Sequence, residues 1–180
     1  MVANDPVAER NLDGYGAPPI PWTKVLERLA AGLPQAPGTG GPDRHTCWVA
    51  TVRPDGRPHV MPVGVLWADG AFYFNSGAGT RKARNLAQNQ HCVITVATHG
   101  FDLVVEGEAR KVTDEARLRR IADVYKSEGW EPTVRDGALY AEYSAPSAGP
   151  PPWDVYEVTP ETVFALGTAE PYGATRWRFS

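Results

Sequence analysis

A chain of 180 residues with 42% hydrophobic and 22% charged content fits one globular domain that buries about 70% of its unfolded surface without disulfides, which excludes disordered, collagen-like and coiled-coil classes. A formal charge of -3 and a pI near 5.8 argue against a nucleic-acid partner, which calls for a basic stripe and a high domain pI. Two cysteines, Cys47 and Cys92, are too few for a disulfide framework, so a reducing, cytoplasmic setting is expected. No apolar run long enough for a secretory signal or a membrane span occurs, so no membrane role is expected.

The 18 glycines and 17 prolines, well above the usual combined share of about 12%, favour short strands and turns. Residues 1–20 are polar and rich in Pro, Gly and Asn, and are expected to form an extended arm or frayed terminus. Pro21 opens a short amphipathic helix. Trp22, Val25, Leu26 and Leu29 form its apolar stripe, and Gly32 with Pro34 ends it. Residues 33–44 have linker composition. The chain therefore divides into an N-terminal arm with one helix and a linker, 1–45, and a core domain, 46–180.

From Thr46 the pattern becomes that of β structure. Thr46–Arg53 and Pro58–Trp67 are apolar runs joined by the turn signal Pro54-Asp55-Gly56-Arg57, and Ala68-Asp69-Gly70 turns the chain into Ala71–Asn75. Large apolar residues on both faces of the first two runs predict strands covered on both sides, as in a small barrel with something packed outside it. Thr80–Asn89 reads as a helix capped by Thr80. His91–Thr98 and Phe101–Val112 return to strand, the latter bending at Gly107. A helix starts at Thr113-Asp114-Glu115, with Leu118, Ile121, Ala122 and Tyr125 as its buried stripe. Residues 126–152 read as a long irregular stretch, followed by strands over Trp153–Val158, Thr162–Leu166 and Ala174–Phe179.

The strongest chemical signal is Ser76-Gly77-Ala78-Gly79-Thr80-Arg81-Lys82-Ala83-Arg84-Asn85. It places cations at a helix start, where the dipole disfavours each by about 0.3–1 kcal/mol. A phosphate resolves the conflict by accepting backbone N–H bonds, approaching closely at Gly77 and Gly79, and pairing with Arg81 or Lys82. The competing reading is a plain loop followed by a solvated basic face.

In its order of elements, the run WVATVRPDGRPHVMPVGVLWADGAFYFNSGAGTRKARNLAQNQHCVITV, continued by FDLVVEGEARKVTD and the ending ATRWRF, resembles the pyridoxamine 5'-phosphate oxidase-like split β-barrel family. It is closest to that family's flavin/deazaflavin-dependent oxidoreductases. The resemblance covers Thr46 to Phe179. It implies a mainly β, antiparallel split barrel and a homodimer with FMN or coenzyme F420 in a groove at the subunit interface. By position it implies Lys82 and Asn85 at the cofactor phosphate, with Thr80 and Arg81 beside them. Val60, Met61, Pro62 and Val63 would border the isoalloxazine-type ring, and Arg176, Trp177 and Arg178 would form a closing segment near the cofactor.

Other constellations are weaker. His45 and Cys47 share a strand face, but His91 and Cys92 are adjacent on opposite faces, so these four do not converge on a metal. His59, beside the implied groove, is a candidate hydrogen-bonding group, against the plainer reading of a strand histidine with no chemical role. Ser144 and Ser147 lack a nucleophile-elbow setting. Gly77-x-Gly79 lacks the third glycine of a dinucleotide fingerprint. Trp130, Tyr140 and Tyr143 either cover a planar ring or pack a satellite core.

The resulting expectation is an oxidoreductase moving a hydride between a flavin-type cofactor and a small organic substrate, with no catalytic proton donor assigned. Cations at Arg53, Arg57, Arg81, Lys82 and Arg84 favour F420, whose tail adds carboxylates, over FMN. The alternative is a non-catalytic carrier of a flavin, a deazaflavin or haem on the same fold.

Overall fold

The computed structural model describes residues 5–33, 47–145 and 148–179. Beyond Leu33 the expected linker lies outside these residues, as do the expected domain boundary, His45, Thr46 and Ser147. The first half of the chain contributes β1 (Ala8–Asn11), α1 (Trp22–Ala30), β2 (Cys47–Val52), β3 (Pro58–Val63), β4 (Leu66–Ala68), β5 (Ala71–Ser76) and α2 (Arg81–Leu86). The second half contributes β6 (His91–Ala97), β7 (Phe101–Lys111), α3 (Glu115–Ser127), β8 (Thr133–Arg135), β9 (Ala138–Tyr140), β10 (Asp154–Gly167) and β11 (Ala174–Arg178).

Nine strands form one antiparallel sheet in the order β1-β11-β10-β7-β6-β2-β3, with β5 paired to β10 and β4 paired to β5. The sheet forks at β10. Asp154–Val158 of this strand pairs with β5, Thr162–Leu166 pairs with β11, and β7 runs along the opposite edge of both halves.

Local signals explain the turns. Asp69 and Gly70 both adopt positive φ, 51° and 81°, as the two central residues of a tight hairpin require. Asp114 accepts a hydrogen bond from the Arg117 N–H and starts α3. Gly107 marks a forced approach, because a Cβ there would lie 2.2 Å from the Thr159 carbonyl oxygen. Opposite it, the β7–β10 register shifts between Pro160 and Thr162, which makes Glu161 a bulge residue.

Non-local pairing overrides several sequence expectations. Part of the arm is an edge strand, since Val7 and Leu12 donate backbone hydrogen bonds to Arg178 and Ala174 on either side of the β1–β11 ladder. Pro58–Trp67 is split in two around Gly64 and Val65. The two strands expected over 153–166 are one, because the bulge absorbs Pro160 and Glu161 without breaking the strand. The stretch 126–152 contains the β8–β9 hairpin, turned at Asp136 and Gly137 with φ of 50° and 72°.

Two cores result. The larger lies beneath the sheet and includes Trp22, Val25, Leu29, Phe72, Phe74, Ile94, Val105 and Trp177. The second packs α3 and the β8–β9 hairpin on β4 and β5 through Leu118, Ile121, Trp130, Leu139 and Trp153. Trp130 thus belongs to a satellite core, with Tyr125 edge-on at 4.9 Å.

Among the described residues of one chain, the outer face of the first two strands of the core stays partly open. Cys47, Val49 and Thr51 point inward, whereas Trp48 and Val52 on β2 and Val60 on β3 remain 43%, 37% and 51% exposed. Register places Trp48 opposite Pro62, Ala50 opposite Val60 and Val52 opposite Pro58, so one sheet face presents apolar side chains to the surface.

Candidate functional site

A cleft of about 570 Å³ opens where β3, the loop into α2 and the segment 148–152 meet. Its walls include His59 and Met61 from β3, Gly77 to Lys82, and Ala148, Gly149, Pro150 and Pro152. A somewhat larger cleft of about 590 Å³ lies along β7, β10 and α3. Its cations are already matched there, with Arg110 on Glu108, Lys111 on Asp154 and Arg117 on Glu157.

The charge balance of the smaller cleft is different. Among the described residues, Arg53, Arg81 and Lys82 form no ion pair with a carboxylate. Lys82 is only 9% exposed, and burial holds its ammonium below the ordinary lysine range. An unpartnered buried cation opposes folding unless an anion meets it.

Among the described residues, two further buried polar atoms near the cleft have no hydrogen-bond partner, His59 Nδ1 and Arg53 Nε. Gly79 lines the cleft, and a Cβ on it would meet no atom within 4 Å, so its side of the loop is open. These groups fit a ligand carrying a phosphate or carboxylate.

The sequence-predicted site residues divide. Thr80, Arg81, Lys82 and Met61 meet at the cleft. The Thr80 hydroxyl is committed locally, accepting from Ala83 N–H and lying 2.7 Å from Ser76 Oγ. Asn85 is buried behind the helix, where its Nδ2 donates to Thr51 Oγ1 at 2.9 Å and ties α2 to β2.

Strand alternation separates the four residues taken as a ring border. Met61 and Val63 share the inward face, Val63 packing against the main core, whereas Val60 and Pro62 point to the opposite, exposed face. The tail needs a correction. Trp177 is fully buried, 5.3 Å from Trp22, and its Nε1 donates to Glu9, so it has no free surface for a cofactor.

Arg176 is half-buried and Arg178 is exposed, both on the outward face. Along the ladders Trp48, Thr95, Val104, Phe164 and Arg176 are successive cross-strand partners, which puts the arginines on the same face as Trp48. Within one chain they stand away from the cleft. Ser76, next to the cleft loop, pairs with Asp154 at the start of β10, whereas Arg176 pairs with Phe164 farther along that strand.

Sequence reasoning left open what His59 does. The segment 148–152 was not assigned to the site, although a proline run after a long irregular stretch is a signal for a rigid wall. Cys47 and Cys92 are buried and form no disulfide, and burial pushes the Cys92 thiol up to about 12. His91, Glu108 and Glu161 have ligand atoms within 4.8 Å of one another, but Arg110 already holds Glu108 and none of the three lines the smaller cleft.

The forked antiparallel sheet with a cationic cleft beside its α2 loop defines a split β-barrel. The chain belongs to the pyridoxamine 5'-phosphate oxidase family, whose sequence model matches residues 41–167. No curated protein matches the sequence significantly.

Three solved structures share the fold. A protein from Listeria innocua, provisionally assigned as a pyridoxamine 5'-phosphate oxidase, is 19% identical with a TM-score of 0.54, over 80% of this chain and 96% of that one. A pyridoxamine 5'-phosphate oxidase-related, FMN-binding protein from Nostoc punctiforme is 18% identical with a TM-score of 0.54, over 86% and 89%. A NimC/NimA family protein from Clostridium acetobutylicum is 16% identical with a TM-score of 0.55, over 86% and 90%. Among the described residues, no helix is long and apolar enough to cross a membrane.

Proposed function

We propose that the protein is a homodimeric oxidoreductase that binds a phosphate-bearing flavin-type cofactor in the smaller cleft, coenzyme F420 ahead of FMN, and acts on a small organic molecule. The observation that carries this reading is Lys82, a buried cation with no carboxylate at the wall of an open cleft. Family membership supports it.

Lys82 and Arg81 would hold the phosphate through charge-assisted hydrogen bonds, with Arg53 offering a further cation. Met61 would supply apolar wall, and the prolines of 148–152 would narrow the access of water. Bound there, such a cofactor supplies hydride transfer, which is chemistry no side chain of the chain offers. Cations exceed what one phosphate needs, which favours a ligand with additional carboxylates. Arg57 drops out of that count, because Asp55 already pairs with it at 2.6 Å.

The outward face with Trp48, Val52 and Val60 would meet a second copy of the chain. Arg176 and Arg178 share that face, so in the dimer they would serve the partner's cleft rather than their own.

Titration of the purified protein with F420, FMN and riboflavin tests the reading, since riboflavin has the ring without the phosphate. Binding of F420 tighter than FMN, with riboflavin weakest, is expected. Equal affinity for FMN and riboflavin would remove the phosphate clamp, and FMN tighter than F420 would reverse the cofactor order. Stopped-flow reoxidation of the reduced, bound cofactor by candidate substrates tests turnover; tight binding with no reoxidation would make the protein a carrier.

A further inference from the structure

His59 is the one ionisable side chain lining the cleft, among the described residues, that the cofactor reading above leaves without a role. It sits on β3, half-buried, with its carbonyl oxygen accepting from Thr51 Oγ1 across the strand pair. Its Nδ1 is buried and has no partner.

Among the described residues, the charged groups that act on it come from the end of β2 and from α2, and all have one sign. Arg53 reaches it from the end of β2, and Arg81 and Lys82 from α2. The segment 148–152 brings no charge. Asp55, in the same hairpin turn, is occupied by Arg57 through Nε and Nη2. Burial and these three cations hold the His59 imidazole below its ordinary value, which favours its neutral form in the free protein.

An anion entering this cleft reverses the local field. A phosphate group within about 4–6 Å of an imidazole favours its protonated form, by about one to three pH units. The protonated ring is a donor at both nitrogens, so it can donate to a phosphate oxygen from the nitrogen that faces the cleft.

We propose that His59 is a ligand-binding residue that takes up a proton when a phosphate-bearing cofactor occupies the cleft. This rests on the reading of the cleft given above. The consequence is an affinity that rises as pH falls through the interval between the free and the bound values of His59. Lys82 and Arg81 set the affinity that remains at higher pH.

Isothermal titration calorimetry with F420, and in parallel FMN, tests the inference at pH 7 in two buffers of different ionisation heat, on the wild-type protein and on His59→Gln. The expected result is net uptake of a substantial fraction of a proton by the wild type. In His59→Gln, uptake would be abolished and affinity weakened about tenfold. A melting curve of His59→Gln shows whether that variant is folded, and NMR titration of the wild-type histidine signals reports the same proton without any substitution. Binding with no proton uptake by the wild type, or uptake unchanged in His59→Gln, overturns the proposal while leaving the cleft reading intact. If neither F420 nor FMN binds the wild type, the cleft reading fails and takes this proposal with it.

Discussion

Replacing Lys82 by methionine should weaken cofactor binding without harming the fold. Methionine keeps roughly the length and bulk of the lysine stem and removes the ammonium. In the free protein Lys82 is 9% exposed, has no carboxylate partner among the described residues, and has its charged form disfavoured by burial. Its removal relieves desolvation and breaks no ion pair, so stability should stay level or rise by up to about 1 kcal/mol. For a domain of this size that corresponds to a melting temperature unchanged or raised by about 2–4 °C.

Binding should move the other way. A hydrogen bond from an ammonium to a phosphate contributes about 1.5–3 kcal/mol, so the dissociation constant should rise about tenfold to 150-fold. Fluorescence or absorbance titration with F420 and FMN, beside a thermal melt of each variant, measures both quantities. Affinity within about twofold of wild type, or a melting temperature lowered by more than about 4 °C, would refute the argument. The second outcome would mean that Lys82 is held by a partner that contributes to folding.

Trp177→Ala should cost about 3–5 kcal/mol, because a fully buried indole packed on Trp22 is removed, whereas Arg176→Ala and Arg178→Ala should leave the melting temperature nearly unchanged. Urea denaturation checks the order, and the two arginine variants should weaken cofactor binding only in the dimer. Trp48→Glu with Val60→Glu should shift the protein to monomer by sedimentation analysis at unchanged secondary structure, since both positions are open on one sheet face; a dimer that persists would assign the interface elsewhere. Cys92 ionises near 9.0 when unfolded but only at about 12 in the fold, so its stabilising effect is complete below pH 9 and fades as pH rises toward 12, with roughly 1 kcal/mol lost by pH 10. Chemical denaturation at pH 8, 9 and 10 should show this fall in the wild type and a shallower one in Cys92→Ala.

Features encoded within a few residues were legible without a structure. The Asp69-Gly70 turn, the Asp114 start of α3 and the stripe of Leu118, Ile121, Ala122 and Tyr125 each depend on a local conformational preference or a fixed period. The second Asp-Gly turn, at 136–137, carried the same signal and was masked by the proline-rich stretch around it. The basic segment Arg81-Lys82-Ala83-Arg84 was equally visible. Its meaning was not, because a cation's role depends on which atoms surround it.

Tertiary structure decided everything that depends on distant partners. It buried Lys82 and left Arg81 and Arg84 exposed, it spent Asn85 on Thr51, and it sent Met61 toward the cleft while alternation turned Val60 and Pro62 away. It paired the arm with β11, which made Trp177 a core residue against Trp22 and Glu9 instead of a cofactor contact. It also joined β10 into one strand, where Gly107 leaves room for the Glu161 bulge. The physical reason is common to all of these: a period or a cap fixes how a segment folds on itself, whereas burial is set by what another part of the chain covers.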